Sequence, residues 1–333
     1  MKEKILITGG AGFIGFNFVL KCLSKKYKVF NLDSLKYAAN KIEIKKLKKI
    51  KDYNFFKLNI NKKDKIKKLL NKNRILTIVN FAAESHVDRS IYNPKYFFKN
   101  NCLDFIEFLT ALRDYYLKLN LKSKKKFKFL HISTDEVYGS LKYNEKPFDE
   151  LSPIKPNNPY ASSKAACELI LRSFSNTYGL PYFITNCSNN YGKYQNKEKL
   201  IPTIIRNAIL NKKIPIYGKG NNVRDWIYVD DHCDAIFKVL TKGKKFEKYN
   251  IGGYSEINNL DLTKKICSIL DKKYPRKNLY NSLIEFVKDR PGHDLRYAIN
   301  AKKIKKLKWR PKINLNSGLN KIVDHYAKKY LNL

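Results

Sequence analysis

Short apolar runs, bounded by glycine, asparagine or basic clusters, alternate over the first half of the chain with longer stretches whose apolar residues recur every three or four positions. Apolar runs of this length read as buried strands, and the longer recurrence reads as helices packed against them. Ile5–Thr8 is the first strand and Asn17–Leu23 the first helix. Lys28–Asp33, Asn54–Ile60, Leu76–Ala83 and Phe129–Ser133 repeat the strand pattern. Helices are predicted over Lys62–Asn71, from Pro94 to about Asn120 and from Tyr160 to about Tyr178. In the second of these, Phe97, Phe105, Phe108 and Leu112 share the apolar positions. Strands and helices in strict alternation predict the α/β class, a doubly wound parallel sheet.

Past Tyr191 the alternation loosens. A helix over Ile201–Ile209 and a strand over Ile214–Tyr217 are followed, within Gly218–His232, by a glycine turn, a strand and a helix start. We therefore expect a sheet domain over residues 1–187, returning around 225–252, and a smaller C-terminal domain formed mainly by 188–333. The basic run Lys122–Lys128 reads as a solvated loop. Residues 141–159, with Pro147, Pro153, Pro156 and Pro159, read as a stiffened loop placed to cover a site. The helices after Pro94 and Tyr160 could pair with a second copy as a four-helix bundle.

Composition narrows the function. The formal charge is +39, which invites a nucleic-acid reading, but only 10 of the basic residues are arginine against 58 lysines. Arginine is the bidentate reader of bases and phosphates, whereas scattered lysine is a solvated point charge. A nucleic-acid partner is not expected. Cys22, Cys102, Cys167, Cys187, Cys233 and Cys267 are dispersed, which fits reduced thiols rather than disulfides, and no histidine spacing suggests a metal. No apolar run is long enough to span a membrane, and the chain enters a strand without a leader pattern, so a cytoplasmic enzyme is expected.

Gly9, Gly12 and Gly15 stand between the first strand and its helix in G-x-x-G-x-x-G spacing. That context is the dinucleotide-binding turn of a Rossmann-type fold: a tight turn, close approach of a pyrophosphate, and a helix N-terminus to hold it. Asp33 ends the next strand, 18 residues after Gly15. A carboxylate there accepts bonds from both ribose hydroxyls and repels a 2′-phosphate, which points to NAD rather than NADP. Ala82 and Ala83 leave room for the cofactor against the fourth strand.

Two carboxylates, Asp135 and Glu136, follow Thr134 at the end of the central strand. Tyr160 and Lys164 lie one helical turn apart shortly beyond them. Tyr-x-x-x-Lys is uninformative by count here, since chance predicts roughly four and four occur. Only Tyr160/Lys164 opens a helix after the central strand. A neighbouring ammonium should lower the Tyr160 pKa and make it a general base, while adjacent buried carboxyls should be driven apart in pKa, giving one acid and one base.

These residues, with GGAGFIG, FAAESHVDRSI, STDEVYG, YASSK, CSNNYGKYQ, NVRDWIYVDDH and DRPGHDLRYA, resemble the extended short-chain dehydrogenases/reductases acting on nucleotide sugars, and within them the dTDP-glucose 4,6-dehydratase family, over nearly the whole length. Epimerases and decarboxylases of the same fold are the alternative. The resemblance implies bound NAD, dTDP-glucose as substrate and a homodimer. It assigns catalysis to Thr134, Asp135, Glu136, Tyr160 and Lys164. It implies cofactor contacts from Phe13, Ile14, Lys36, Asn59, Ile60, Ser85, Asn100 and Asn190, besides the glycines, Asp33, the alanines, Tyr160 and Lys164. Substrate contacts are implied for Ser85, Thr134, Asn189, Lys199, Leu200, Pro215, Tyr217, Arg224, Asn259, Asp289, Arg290 and His293. Asn59, where the family commonly has Asp, Asn186, where it has Arg, Ala39 for Gly and Lys193 for Pro depart from the family pattern, and none is expected to touch the chemistry.

Overall fold

The structure, a computed structural model, describes residues 2–331. In chain order it forms β1 (Lys4–Thr8), α1 (Phe13–Ser24), β2 (Lys28–Asp33), α2 (Lys41–Leu47), β3 (Tyr53–Lys57), α3 (Lys63–Asn73) and β4 (Thr77–Asn80). Then come α4 (Val87–Tyr92), α5 (Pro94–Phe98), α6 (Asp104–Leu117), α7 (Leu121–Lys126), β5 (Lys128–Thr134), α8 (Pro159–Tyr178), β6 (Phe183–Cys187), β7 (Asn189–Tyr191) and α9 (Leu200–Ile209). The last third holds β8 (Ile214–Tyr217), β9 (Val223–Tyr228), α10 (Val229–Lys242), β10 (Glu247–Ile251), β11 (Glu256–Asn258), α11 (Asn259–Lys273), β12 (Ile284–Val287), α12 (Lys302–Lys306) and α13 (Leu315–Leu331).

Seven strands build one parallel sheet in the order β3-β2-β1-β4-β5-β6-β10. These strands are apolar almost throughout because helices cover both faces. On one face α1 and α10 bury Phe16, Phe18, Val19, Ile236 and Val239 with β1 and β6 side chains. On the other, α3, α6 and α8 bury Ile66, Leu70, Phe105, Phe108, Leu112 and Leu171. A separate core gathers Ile201, Ile205, Ile214, Trp226, Leu262, Ile266 and Leu319 around α9, α11 and α13. It sits on the three-stranded sheet β11-β9-β7 and the β12/β8 pair. The strand order reverses beside β1, whose neighbours are β2 and β4. A crevice opens there at the carboxyl ends of the strands, the place where such sheets bind ligands. Among the described residues no helix is long and apolar enough to cross a membrane.

Three expectations need correction. The basic run is not a loop: Leu121–Lys126 is helical, capped by Asn120, whose side chain accepts from the Ser123 amide at 2.9 Å. The helix expected from Pro94 is interrupted at Lys99–Leu103 by a turn of π-helix, which shifts the faces of the segments on either side. The proline-rich loop lends no lining residue to the crevice and meets the site only at its end, where Asn158 bonds Glu136. It is pinned instead to the 296–300 segment through Leu141, which donates to Arg296 O, and Phe148, which donates to Ala298 O, both at 3.0 Å.

Candidate active site

The crevice is a cavity of about 530 Å³ that runs from the glycine turn and Asp33 past β4 and β5 to β8, β9 and the 290–297 segment. At one end Gly9 turns with φ +71°, and a Cβ there would strike the backbone of Ala82. A Cβ on Gly15 would collide with the Gly9 carbonyl oxygen, so α1 starts tight against β1 only because residue 15 is glycine. Gly12 caps α1 with no side chain and leaves the helix N-terminus open to the cavity. Asp33 is held from behind: its Oδ2 accepts from the Ala11 amide at 2.9 Å and its Oδ1 from the Leu35 amide at 2.7 Å. Phe13, Ile14, Asn59, Ile60, Ala82, Ala83, Ser85, Asn100 and Asn190 complete this half of the wall. A glycine-lined turn, a helix N-terminus and a fixed carboxylate are the donor and acceptor set that a pyrophosphate and an unphosphorylated ribose require, so the residues fit NAD. Asn59 faces the cavity but gives its amide to Asp104 Oδ2 at 3.0 Å.

At the far end of β5 the chain breaks into a 3-10 turn at Asp135–Tyr138, opened by Thr134, whose hydroxyl accepts from the Glu136 amide at 3.3 Å. The turn sets Asp135 and Glu136 side by side at the cavity wall. Burial lifts the Asp135 carboxyl well above its usual range, and repulsion by Glu136 and Asp225 adds to the rise. Its Oδ1 accepts from the Thr134 hydroxyl at 3.2 Å, while Oδ2 is buried without a partner. Glu136 is also raised by burial, but Arg290, Arg224 and Lys199 pull it back. Two adjacent carboxyls thus meet different fields, the more strongly raised one holding a proton beside a more easily ionised neighbour. Glu136 Oε2 receives Asn158 Nδ2 and the Tyr297 hydroxyl, both at 3.4 Å. Neither residue was singled out by sequence: Asn158 precedes the helix as its cap and Tyr297 lies far along the chain.

Asn158 accepts from the Ala161 amide at 2.9 Å and so starts α8 at Pro159, which places Tyr160 and Lys164 in its first turns beside β5. Here the expected electrostatics fail. Burial, then Glu136, push the Tyr160 phenol well above its ordinary value, and Thr134 is the group that pulls it down. Lys164 does not lead because its ammonium is engaged elsewhere, on Ile132 O at 2.7 Å and on the His131 ring at 3.2 Å. His131 is buried under the site and bonded in turn to Asn80 at 3.0 Å. Periodicity alone reads it as a strand interior position. Asn186 also proves closer to the candidate site than expected: its amide donates to Thr134 O at 2.9 Å and to Glu168 at 2.7 Å, behind the Asp135–Tyr138 turn.

Opposite these groups, Ser85, Asn189, Lys199, Leu200, Pro215, Tyr217, Arg224, Asn259, Arg290 and His293 line the cavity. Arg224 is fixed under the site by Val223 O at 2.8 Å and Asp294 O at 3.0 Å, with its guanidinium 4.2 Å from the Tyr297 ring centre. Arg290 meets Asp88 at 3.2 Å, and its Nε is buried and unpaired. Lys199 donates to Ser85 O at 2.9 Å. Lys199, Arg224 and Arg290 bring three cations to this wall, an arrangement suited to a diphosphate. Burial and Arg290 push His293 down to about 4, so it is neutral. Asp289 is the exception among the expected substrate contacts. It does not line the cavity and instead accepts from His293 Nδ1 at 2.6 Å, fixing the ring from behind. Arg296, on the same segment, pairs with Glu256 at 2.6 and 3.0 Å and is structural.

A family model described as GDP-mannose 4,6 dehydratase matches residues 6–322. A dTDP-glucose 4,6-dehydratase of Xanthomonas campestris pv. campestris (strain B100) is 47% identical over 324 residues, covering 96% of this chain and 92% of that one. A crystal structure of dTDP-glucose 4,6-dehydratase from Bacillus anthracis in complex with NAD superposes with a TM-score of 0.86 at 41% identity, over 98% and 97% of the two chains. The Streptomyces venezuelae dTDP-glucose 4,6-dehydratase, also with NAD bound, gives 0.89 at 38% identity, over 99% and 98%.

Proposed function

We infer that this chain, which belongs to the GDP-mannose 4,6-dehydratase family and within it to the dTDP-glucose 4,6-dehydratases, is a hydro-lyase that converts dTDP-glucose to dTDP-4-dehydro-6-deoxy-glucose with NAD as cofactor. The observation that carries this reading is the carboxyl pair: Asp135, strongly raised and with a free buried oxygen, next to Glu136, which three cations favour as carboxylate. A 4-epimerase only oxidises and reduces at C4 and has no use for such a pair, whereas elimination of water needs both an acid and a base.

Gly12, the α1 N-terminus and Asp33 would hold the cofactor. NAD held there would supply a hydride acceptor and, once reduced, a hydride donor, and its cationic ring would favour the Tyr160 phenolate that burial and Glu136 disfavour. Tyr160 takes the proton of the C4 hydroxyl, and the Thr134 hydroxyl steadies the same oxygen. The C4 ketone so formed acidifies the hydrogen at C5, which Glu136 removes as a proton. Asp135 gives its proton to the departing C6 hydroxyl, and water leaves. Once hydride has reached C6, Glu136, its proton exchanged with solvent, reprotonates C5. Lys199, Arg224 and Arg290 hold the diphosphate and favour the charged form of Glu136 against its burial, while neutral His293, fixed by Asp289, offers a ring nitrogen to the nucleotide. The redox change over the cycle is zero, so the cofactor has no reason to leave between turnovers.

Residues 1–187 with α10 and β10 serve the cofactor in this reading, and most of 188–333 the nucleotide sugar. A homodimer is part of the same proposal, supported by the exposed Leu103 and Leu117 by α6 and Leu169 on α8, apolar positions on two helices that pack together. All six cysteines are unpaired and buried, as suits a cytoplasmic enzyme. Incubation with dTDP-glucose and NAD, read by mass spectrometry, tests the reaction: the product should be lighter by one water. A product of unchanged mass would replace this reading with the epimerase.

A further inference from the structure

A lysine three residues beyond the ribose-binding Asp33 is a ready seat for a 2′-phosphate, yet the structure takes this one out of use. Lys36 lines the same stretch of cavity as Asp33. Its ammonium donates to Glu84 Oε1 at 2.9 Å and to Asn100 Oδ1, and lies 4.9 Å from the centre of the Tyr96 ring. The Tyr96 hydroxyl donates to the same Glu84 oxygen at 3.2 Å. Burial works against the charged lysine, and its Tyr96 and Glu84 contacts more than reverse that. Glu84 itself is 7% exposed and cannot swing away. Its amide donates to Asn101 Oδ1 at 2.8 Å, and Asn101 Nδ2 donates to its carbonyl at 3.0 Å. Asn100 and Asn101 both belong to the π-helical turn Lys99–Leu103, so that turn brings the two amides against the end of β4.

We propose that Glu84, through its clamp on Lys36, is a second determinant of NAD over NADP alongside Asp33. The inference rests on the NAD reading above. A phosphate monoester carries about −1.5 to −2 charges near neutrality. Placed beside Asp33 it would meet two carboxylates and one cation already bound to one of them. Asp33 repels the phosphate, and Glu84 prevents the nearby cation from undoing that repulsion.

Equilibrium binding of NAD and of NADP to nucleotide-stripped protein tests this without reference to turnover. The unmutated protein should prefer NAD. Asp33→Ser should weaken NAD about tenfold while leaving NADP weak, because Lys36 stays clamped. Asp33→Ser with Glu84→Gln should bind NADP at least about tenfold more tightly than Asp33→Ser alone. Glutamine keeps an acceptor for Tyr96, and both bonds to Asn101 are made by the backbone of residue 84, so the variant should fold. Adding Lys36→Met should abolish the gain. A double variant that binds NADP no better than Asp33→Ser overturns the assignment, as does a gain that survives Lys36→Met. If the unmutated protein does not prefer NAD, the cofactor reading itself falls. A normal preference with no gain in the double variant removes Glu84 alone.

Discussion

Asp135→Asn should make the protein more stable and nearly inactive at once. The side chain is 3% exposed, and Oδ2 has no hydrogen-bond partner. Burial, Glu136 and Asp225 raise its pKa, so the folded protein keeps this proton to higher pH than the unfolded chain. Ionisation therefore penalises the folded state. The penalty is absent below the unfolded carboxyl pKa, about 3.9, and grows as pH rises from there through the raised folded value. Asparagine cannot ionise and escapes it, while its carbonyl can still accept from Thr134. A tenfold difference in proton affinity between the folded and unfolded states is worth about 1.4 kcal/mol. In a chain of this length that corresponds to about 2 °C in melting temperature. Calorimetry at about pH 5 and about pH 8.5 should show the variant's advantage widening with pH. In the same variant C4 oxidation should survive and elimination should slow by about 10²–10⁴, so that NADH and the 4-keto nucleotide accumulate. A variant that melts lower than the unmutated protein at the higher pH, or that dehydrates at the normal rate, would refute Asp135 as the buried acid.

Tyr160→Phe should abolish C4 oxidation, followed as NADH absorbance in a single turnover. Tyr138→Phe should not, because the Tyr138 hydroxyl bonds Asn250 at 2.8 Å outside the cavity, and its loss should cost about 1 kcal/mol of stability instead. Arg296→Ala removes a buried guanidinium from its bidentate pair with the exposed Glu256 and from Glu145 O, and should destabilise by about 2 kcal/mol in denaturant unfolding, with KM for the sugar nucleotide unchanged. Gly15→Ala should lose at least about tenfold in NAD affinity by direct titration, since the added methyl meets the Gly9 carbonyl and forces α1 away from β1.

Much of the fold was legible because strands buried on both faces leave apolar runs that turn residues bound on either side. The first five main-sheet strands were placed to within a few residues that way. α1 starts at Phe13, four residues before the apolar recurrence suggested, because the helical geometry begins inside the glycine turn. The helix at Leu121–Lys126 was hidden by its charge. Lysine propagates a helix well, and the Asn120 cap outweighed the repulsion. The π-turn left no signal, since it is a one-residue slip in register within a helical stretch.

Site residues next to glycines and paired acids were legible for a similar reason: the chemistry needs them adjacent in sequence. Partners brought in by topology were not. Tyr297, Asn158, Glu84 and His131 reach the site from elements whose relative placement no local pattern encodes. The Tyr160 shift went the opposite way to expectation because burial, and then Glu136, outweigh any lowering, and both are set by how α8 packs on the sheet.

The central claim is that Glu136 and Asp135 eliminate water while the hydride stays within one sugar, and the fate of hydrogen in deuterated water tests it most directly. The product nucleotide sugar, read by NMR, should carry deuterium at C5, where Glu136 exchanges its proton with solvent, and none at C6, where the original C4 hydride arrives. Deuterium at C6, or a product that keeps its C6 hydroxyl, would contradict the account.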